Sequence, residues 1–144
     1  MQQTIPIRPV LVQANKLKLD CHLGHPNFQP VVTGNDIHIV PLGNQKYWLG
    51  ATVEFPTESG ASNPDAHSLE QLKQEAIAFC PELNTATILK TWSGNRPRPE
   101  GISAPVIGKL SGYENILLAT AHYRNGVLLA PATALEVVKM IKSY

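Results

Sequence analysis

Apolar positions alternate with polar ones along most of this chain, and the alternation changes to a helical period twice. "IPIRPVLVQANKLKL", residues 5–19, alternates over two short stretches. Pro6 and Pro9 suit an edge strand better than a central one, because proline cannot donate to a ladder. "FQPVVTGN" (28–35) and "DIHIVPL" (36–42) read as further strands. "GNQ" then offers a turn and "KYWLGATVEF" runs back, so 36–55 is a hairpin with a loop of about three to five residues. On its first arm Asp36, His38 and Val40 share one face and Ile37 and Ile39 the other.

"PTESGASNPDAH" (56–67) is rich in chain breakers and reads as a loop. A helix follows over 68–80. Ser68 with Gln71 forms a capping box, and Leu69, Leu72, Ala76, Phe79 and Leu83 make its apolar stripe. Pro81 ends it. "TATILKTW" is a strand leading into a loop over Trp92–Pro99; "PVIGKL" and "NILLATA" are two more strands separated by a Gly-Tyr turn. Residues 127–142 close the chain as a helix, with Leu128, Leu129, Ala132, Leu135, Val138 and Ile141 at helical spacing. The expected class is α+β: a mostly antiparallel sheet, one packed helix (about 68–80), and a C-terminal strand–helix pair (about 115–142).

The chain's 144 residues suffice for one domain, 1–144, that buries roughly two-thirds of its unfolded surface. Twelve basic residues face eleven acidic ones, so no nucleic-acid partner is implied. No apolar run reaches the roughly 18 residues of a membrane span. "MQQTIPIRPV" lacks the basic stretch and apolar core of a signal peptide, so a cytoplasmic location is expected. Cys21 and Cys80 are then expected to be free thiols. "CHLGH" places Cys21, His22 and His25 within five residues. A structural zinc wants four ligands, and no second pair stands at a recognisable spacing, so no metal is expected. Asp65, Glu70 and Glu75 read as a helix start and its solvated face.

Two arginines stand in loop-like surroundings, Arg96 in "WSGNRPRP" and Arg124 in "HYRNG". "WSGNRPRPEGISAPVIG" followed by "NILLATAHYRNGVLLAPATALEVVKMI" resembles the C-terminal part of FAD-dependent glycine oxidases, in the D-amino-acid-oxidase-like family, which serve thiazole formation in thiamine biosynthesis. "DIHIVPLGNQKYWLGATVE" is similar to that family's substrate-domain hairpin. Full-length members begin with a strand–G-x-G-x-x-G–helix fingerprint that holds the pyrophosphate of FAD, and this sequence contains no such motif.

The resemblance implies oxidative deamination of glycine or a small amino acid to a 2-oxo acid, ammonia and hydrogen peroxide. Arg96 would clamp the substrate carboxylate, since a guanidinium meets a carboxylate with two parallel hydrogen bonds. Arg124 would be a second clamp. His38 stands where the family presents a tyrosine to the same carboxylate, and Asp36 where it has a histidine. His122, Tyr123, Asn125, Gly126, Val127 and Leu128 would border the flavin, whose N1–C2=O edge becomes anionic on reduction and suits a helix N-terminus. Ala121 replaces the family's usual glycine, and Val12 replaces another. The implied cofactor is FAD, and the implied partners are a small amino acid or carboxylate and a separate FAD-binding half; the apolar stripe of 127–142 is itself expected to be covered in a homodimer or by that helix folding back across the exposed sheet face. From the residues alone, Arg96 and Arg124 could be solvated arginines, His38 an ordinary strand histidine, and Asn125–Leu128 a plain helix start. The alternative function is a non-catalytic truncated module that binds a small carboxylate or a protein partner, or a relic with no activity.

Overall fold

The computed structural model describes residues 6–57, 60 and 63–143. Among these described residues seven strands and two helices follow one another: β1 (Ile7–Lys18), β2 (Val32–Gly34), β3 (Ile37–Pro41), β4 (Lys46–Gly50), α1 (Ala66–Phe79), β5 (Thr87–Pro99), β6 (Val106–Lys109), β7 (Leu117–Thr120) and α2 (Gly126–Lys142), with a 3₁₀ turn over Pro81–Thr85. The class is α+β with antiparallel pairing and a C-terminal helix, as the patterning predicts. Ile5 of the first expected strand, and parts of the 56–67 loop, lie outside the described residues.

The chain divides into two compact units: one of Met1–Val10, Pro56–Ala61 and Asn95–Tyr144, the other of Leu11–Phe55 and Ser62–Gly94. The strand order of the larger sheet is β2-β3-β4-β1-β5. β1 is therefore interior, and a single strand rather than two short ones. Pro9 is accommodated because the β4 pairing starts only at Ala14, opposite Gly50, while Leu11 meets Glu54 in a lone bridge. β5 runs through 92–99, where a loop was expected. It stands at the sheet edge, where a strand needs no donor on its outer side and so tolerates Pro97 and Pro99.

In the second unit the hairpin forms as predicted, with Ile39 opposite Leu49 and His38 opposite Gly50. Ile37 and Ile39 are buried and His38 and Val40 half-buried, as alternation demands. Asp36 departs from the predicted strand face. It sits in the β2–β3 turn with Asn35, at φ of 63° and 49°, the left-handed region that Asn and Asp tolerate best. Leu17, Leu19, Ile37, Ile39, Tyr47 and Leu49 make the inner face, and α1 lays Leu72 and Ala76 on them, joined by Leu83. This is the stripe the sequence predicted. Its start differs: Asp65, not Ser68, caps α1, accepting from the His67 N–H at 3.0 Å. Ser68 instead donates to Asp65, and Gln71 donates to Glu75 at 2.8 Å, so the expected capping box does not form. A carboxylate one turn earlier takes the exposed N–H groups first.

On the outer face of the same strands Ala14, Gly50 and His38 stand in one row. A Cβ on Gly50 would come within 2.6 Å of the Trp48 ring and 2.9 Å of the Ala14 methyl. Glycine is required there by the indole, which also meets Trp92 with ring centroids 6.3 Å apart.

In the first unit β6 and β7 pair antiparallel, Val106 opposite Thr120, and α2 packs on both. Its half-buried residues are Leu129, Thr133, Val137 and Met140. Of the stripe expected from the sequence only Leu129 takes part; Leu128, Leu135, Val138 and Ile141 are exposed, Leu128 at 79%. The helix is apolar on more than one side, so period alone could not select the packing face. Lys139 and Lys142 fall in its last turn, where cations favour the helix dipole.

Candidate functional site

Arg96 and Arg98 project from one side of β5, two residues apart. Facing them in the same unit is the reversal between β7 and α2. That reversal is tight: Ala121 and Tyr123 both have left-handed backbones, φ 56° and 52°, and the Asn125 N–H closes a turn onto the His122 carbonyl at 3.0 Å. Each non-glycine residue held there costs on the order of 1–2 kcal/mol. The reversal meets β5 at Tyr123: its N–H donates to the Pro97 carbonyl at 3.2 Å, and the Arg98 guanidinium carbon lies 5.9 Å from the centroid of its ring. His122 Nε2 is held on the helix side, 2.9 Å from the Thr133 hydroxyl.

The consequence is electrostatic. Half-burial of Arg96, and after it the charge of Arg124, pull the Arg96 guanidinium below its ordinary pKa, with Tyr123 acting in the opposite sense. Arg96 and Arg124, 28 positions apart in sequence, are thus close enough in the fold to repel one another. Among the described residues no carboxylate pairs with Arg96. Guanidiniums that act on each other, one of them partly desolvated, have the chemistry that suits an anion, and a planar fork matches a carboxylate.

Beyond Arg124 the chain enters α2. The Asn125 side chain makes no capping hydrogen bond. The first turn of the helix therefore presents the N–H groups of Gly126, Val127 and Leu128 without a side-chain acceptor. Val127 is 94% exposed, and a Cβ on Gly126 would meet the His122 Cβ only at 3.7 Å, so the packing of this chain does not demand a glycine there. Uncapped donors behind an accessible glycine fit the anionic edge of a reduced flavin. Ala121 is fully buried. His122 and Gly126 also border a cleft of about 450 Å³ along α2.

His38 belongs to the other unit. Its Nδ1 lies 3.0 Å from the Thr33 hydroxyl, a contact across the β2–β3 pair. Asp36, but not His38, borders a cleft of about 350 Å³ between the hairpin and α1, together with Thr52, Glu54 and Glu75. Behind that cleft Gln13 and Thr52 are buried and both donate to Glu54 Oε1 at 2.8 Å. Cys21 and Cys80 are both free thiols.

Two participants were missed from the sequence. Arg98 could have been found by strand alternation, which places it beside Arg96. Thr133 carries no local signal; only the return of α2 onto β7 brings it to His122.

The model of the family of FAD dependent oxidoreductases matches residues 1–140. The chain belongs to this family. It is 36% identical over 131 residues to a glycine oxidase of Pseudomonas putida, a match covering 90% of this chain and 33% of that protein. A bifunctional protein ThiO/ThiG of a Nostoc species is 33% identical over 138 residues, 95% of this chain and 20% of the relative. The fold superposes on the crystal structure of glycine oxidase from Geobacillus kaustophilus with a TM-score of 0.79 at 27% identity, over 97% of this chain and 36% of that one. The chain thus spans about a third or less of the length of these relatives. Among its described residues no helix is long and apolar enough to cross a membrane.

Proposed function

We propose that this chain is the carboxylate-binding portion of a glycine-oxidase-like flavoenzyme. The observation that supports the reading is the Tyr123–Pro97 hydrogen bond, which joins the residues next to Arg124 and Arg96, in a family member whose relatives are named glycine oxidases. An amino acid offers an oxidase a carboxylate, an amine and a Cα–H. Arg96, partly desolvated, takes the carboxylate, and Arg124 closes on it from the reversal. Each charge-assisted hydrogen bond contributes about 1.5–3 kcal/mol, and fixing the carboxylate fixes the direction of the Cα–H bond. When bound, a flavin would supply the acceptor for hydride from Cα, with O2 as the final oxidant and hydrogen peroxide as its product. The N–H groups at Gly126–Leu128, with His122, Tyr123 and Asn125 around them, would hold its anionic edge. The imine left on the substrate hydrolyses to a 2-oxo acid and ammonia. No side chain of this chain need act as a base, because hydride leaves a neutral amine.

In this reading catalysis requires a dinucleotide-binding portion, on another chain or in a longer product of the same gene. Supply of the thiazole of thiamine is its physiological role, in the cytoplasm. A homodimer would cover the exposed apolar side of α2. Titration of the chain with glycine, with acetate and with FAD tests the reading. Saturable acetate binding that Arg96→Met abolishes supports it, and peroxide from glycine after adding a dinucleotide-binding portion completes it. Acetate binding that is absent, or indifferent to Arg96, overturns it.

A further inference from the structure

We propose that Asn125 is a self-modification site: the backbone nitrogen of Gly126 attacks the Asn125 side-chain amide, and the aspartate or isoaspartate that results closes the start of α2 to anions. The modification stands on this chain's own residues; its consequence for a cofactor rests on the flavin reading of Gly126–Leu128.

Asn125 is followed by glycine, whereas each of the other asparagines precedes a residue with a Cβ. A Cβ crowds the nitrogen that must attack, so Asn125 faces the least hindered one. Asn125 and Gly126 are both exposed, and the Asn125 side chain makes no capping hydrogen bond, so its amide is not committed to the helix start. Gly126 opens α2, where an N–H has no intrahelical acceptor. The positive end of the helix also favours the nitrogen anion through which attack proceeds. One adjustment is needed. At the observed Asn125 ψ of 15° the Gly126 nitrogen does not stand over the side chain, and the peptide plane between the two residues must turn. Turning it breaks the 2.9 Å hydrogen bond from the Leu129 N–H to the Asn125 carbonyl, which contributes only about 0.5–1.5 kcal/mol. It also carries Gly126 towards the left-handed region, which glycine enters without a steric penalty.

In the reaction the Gly126 nitrogen bonds to Asn125 Cγ, the Cγ–Nδ2 bond breaks, and ammonia leaves with the amide proton. Water then opens the succinimide at Cγ to give aspartate, or at the main-chain carbonyl to give isoaspartate. The new carboxylic acid loses its proton to solvent. Either product places a negative charge directly before the first-turn N–H groups of α2 and can accept from them, as the neutral amide does not in this fold. An anion already seated on the Gly126 N–H would hold the peptide plane and block the attack. Occupied protein therefore keeps Asn125, and empty protein loses it.

The test incubates the purified full chain at mildly alkaline pH, with and without FAD, and follows every asparagine by peptide mass spectrometry. Without FAD, Asn125 is expected to deamidate at least about tenfold faster than any other asparagine, with isoaspartate among the products. Gly126→Ala is expected to slow that loss at least about tenfold. The variant should fold, since a Cβ on Gly126 would come no closer than 3.7 Å to the His122 Cβ. Asn125→Gln keeps the glycine but lengthens the ring, so position 125 should stay intact there, which serves if the alanine variant is unstable. Loss of Asn125 no faster than that of the other asparagines, or unchanged in Gly126→Ala, overturns the proposal. The closing of α2 is read separately. Asn125→Asp is expected to bind FAD about fivefold more weakly than fresh wild type, and FAD to slow the loss of Asn125 in wild type. Equal FAD affinity of the two, or FAD binding that leaves the loss unchanged, overturns that half. If fresh wild type binds no FAD, the flavin reading of α2 fails, and the peptide masses still decide the modification.

Discussion

The backbone N–H of Tyr123 donates to the carbonyl of Pro97 across 3.2 Å, joining two segments that are 26 positions apart in sequence. The bond brings the turn before α2 to the end of β5, and with it one arginine to another.

Ala121 begins that turn with a left-handed backbone and a fully buried methyl group. Ala121→Gly relieves the backbone and loses the methyl contacts, so stability is expected to stay within about 1 kcal/mol of wild type. Ala121→Val adds a branched side chain to a left-handed, buried position and is expected to cost more than about 2 kcal/mol. Denaturant unfolding of the pair checks this. Equal stability of the two variants would show that the turn does not hold its left-handed form in solution.

Gly50 has no room for a side chain beneath Trp48 and beside Ala14. Gly50→Ala is expected to destabilise by about 1–3 kcal/mol, the usual cost of overpacking. Trp48→Leu should recover part of that loss when combined with it. The coupling is read from a double-mutant cycle by urea titration, and simple additivity would contradict the indole's role.

Leu135 and Val137 differ by two positions on α2 and by their surroundings: Leu135 is 65% exposed, Val137 half-buried over the β6–β7 sheet. Leu135→Asp is expected to change the stability of the chain by less than about 0.5 kcal/mol, and Val137→Asp to lower it by more than about 1 kcal/mol. If Leu135→Asp instead unfolds the chain or splits an assembly on gel filtration, the outer face of α2 is covered in solution. That outcome would support the homodimer.

Burial, and then the hydrogen bond to Glu82, push the Cys80 thiol up from 9.0 to about 11. A thiol raised in the folded state favours folding below its unfolded value. That contribution is complete below about pH 9 and is lost as pH rises towards 11. Alkylation of Cys80 in the folded chain is therefore expected to accelerate only as pH nears 11, since the thiolate is the nucleophile. Glu82→Ala removes the acceptor and the negative charge, and should move the alkylation profile to lower pH. A profile identical to wild type would show that Glu82 does not act on the thiol.

Much of the fold is legible from local pattern because burial and period coincide there. Ile37 and Ile39 alternate with His38, so β3 and its inner face follow from the sequence. Leu72 and Ala76 recur at helical spacing, so α1 and its core contact follow too. The pattern fails where local chemistry has two solutions. Ser68 and Gln71 satisfy the form of a capping box, but Asp65 reaches the helix start first. Trp92–Pro99 has the composition of a loop, and only the edge position of β5 makes its prolines compatible with a strand.

The candidate site divides the same way. Residue type and the family pattern single out Arg96, Arg124 and the start of α2, because the chemistry of a carboxylate and of an anionic ring edge selects guanidiniums and free N–H groups. Sequence could not show that Arg96 lies close enough to Arg124 to be repelled by it, that Tyr123 lies beneath Arg98, or that α2 turns Leu129 and Val137, rather than Leu128 and Leu135, towards its sheet. Those facts depend on the return of a distant segment onto β5 and on the rotation of a helix that is apolar on several sides. Local residue preferences do not encode either one; the packing of the whole chain sets them.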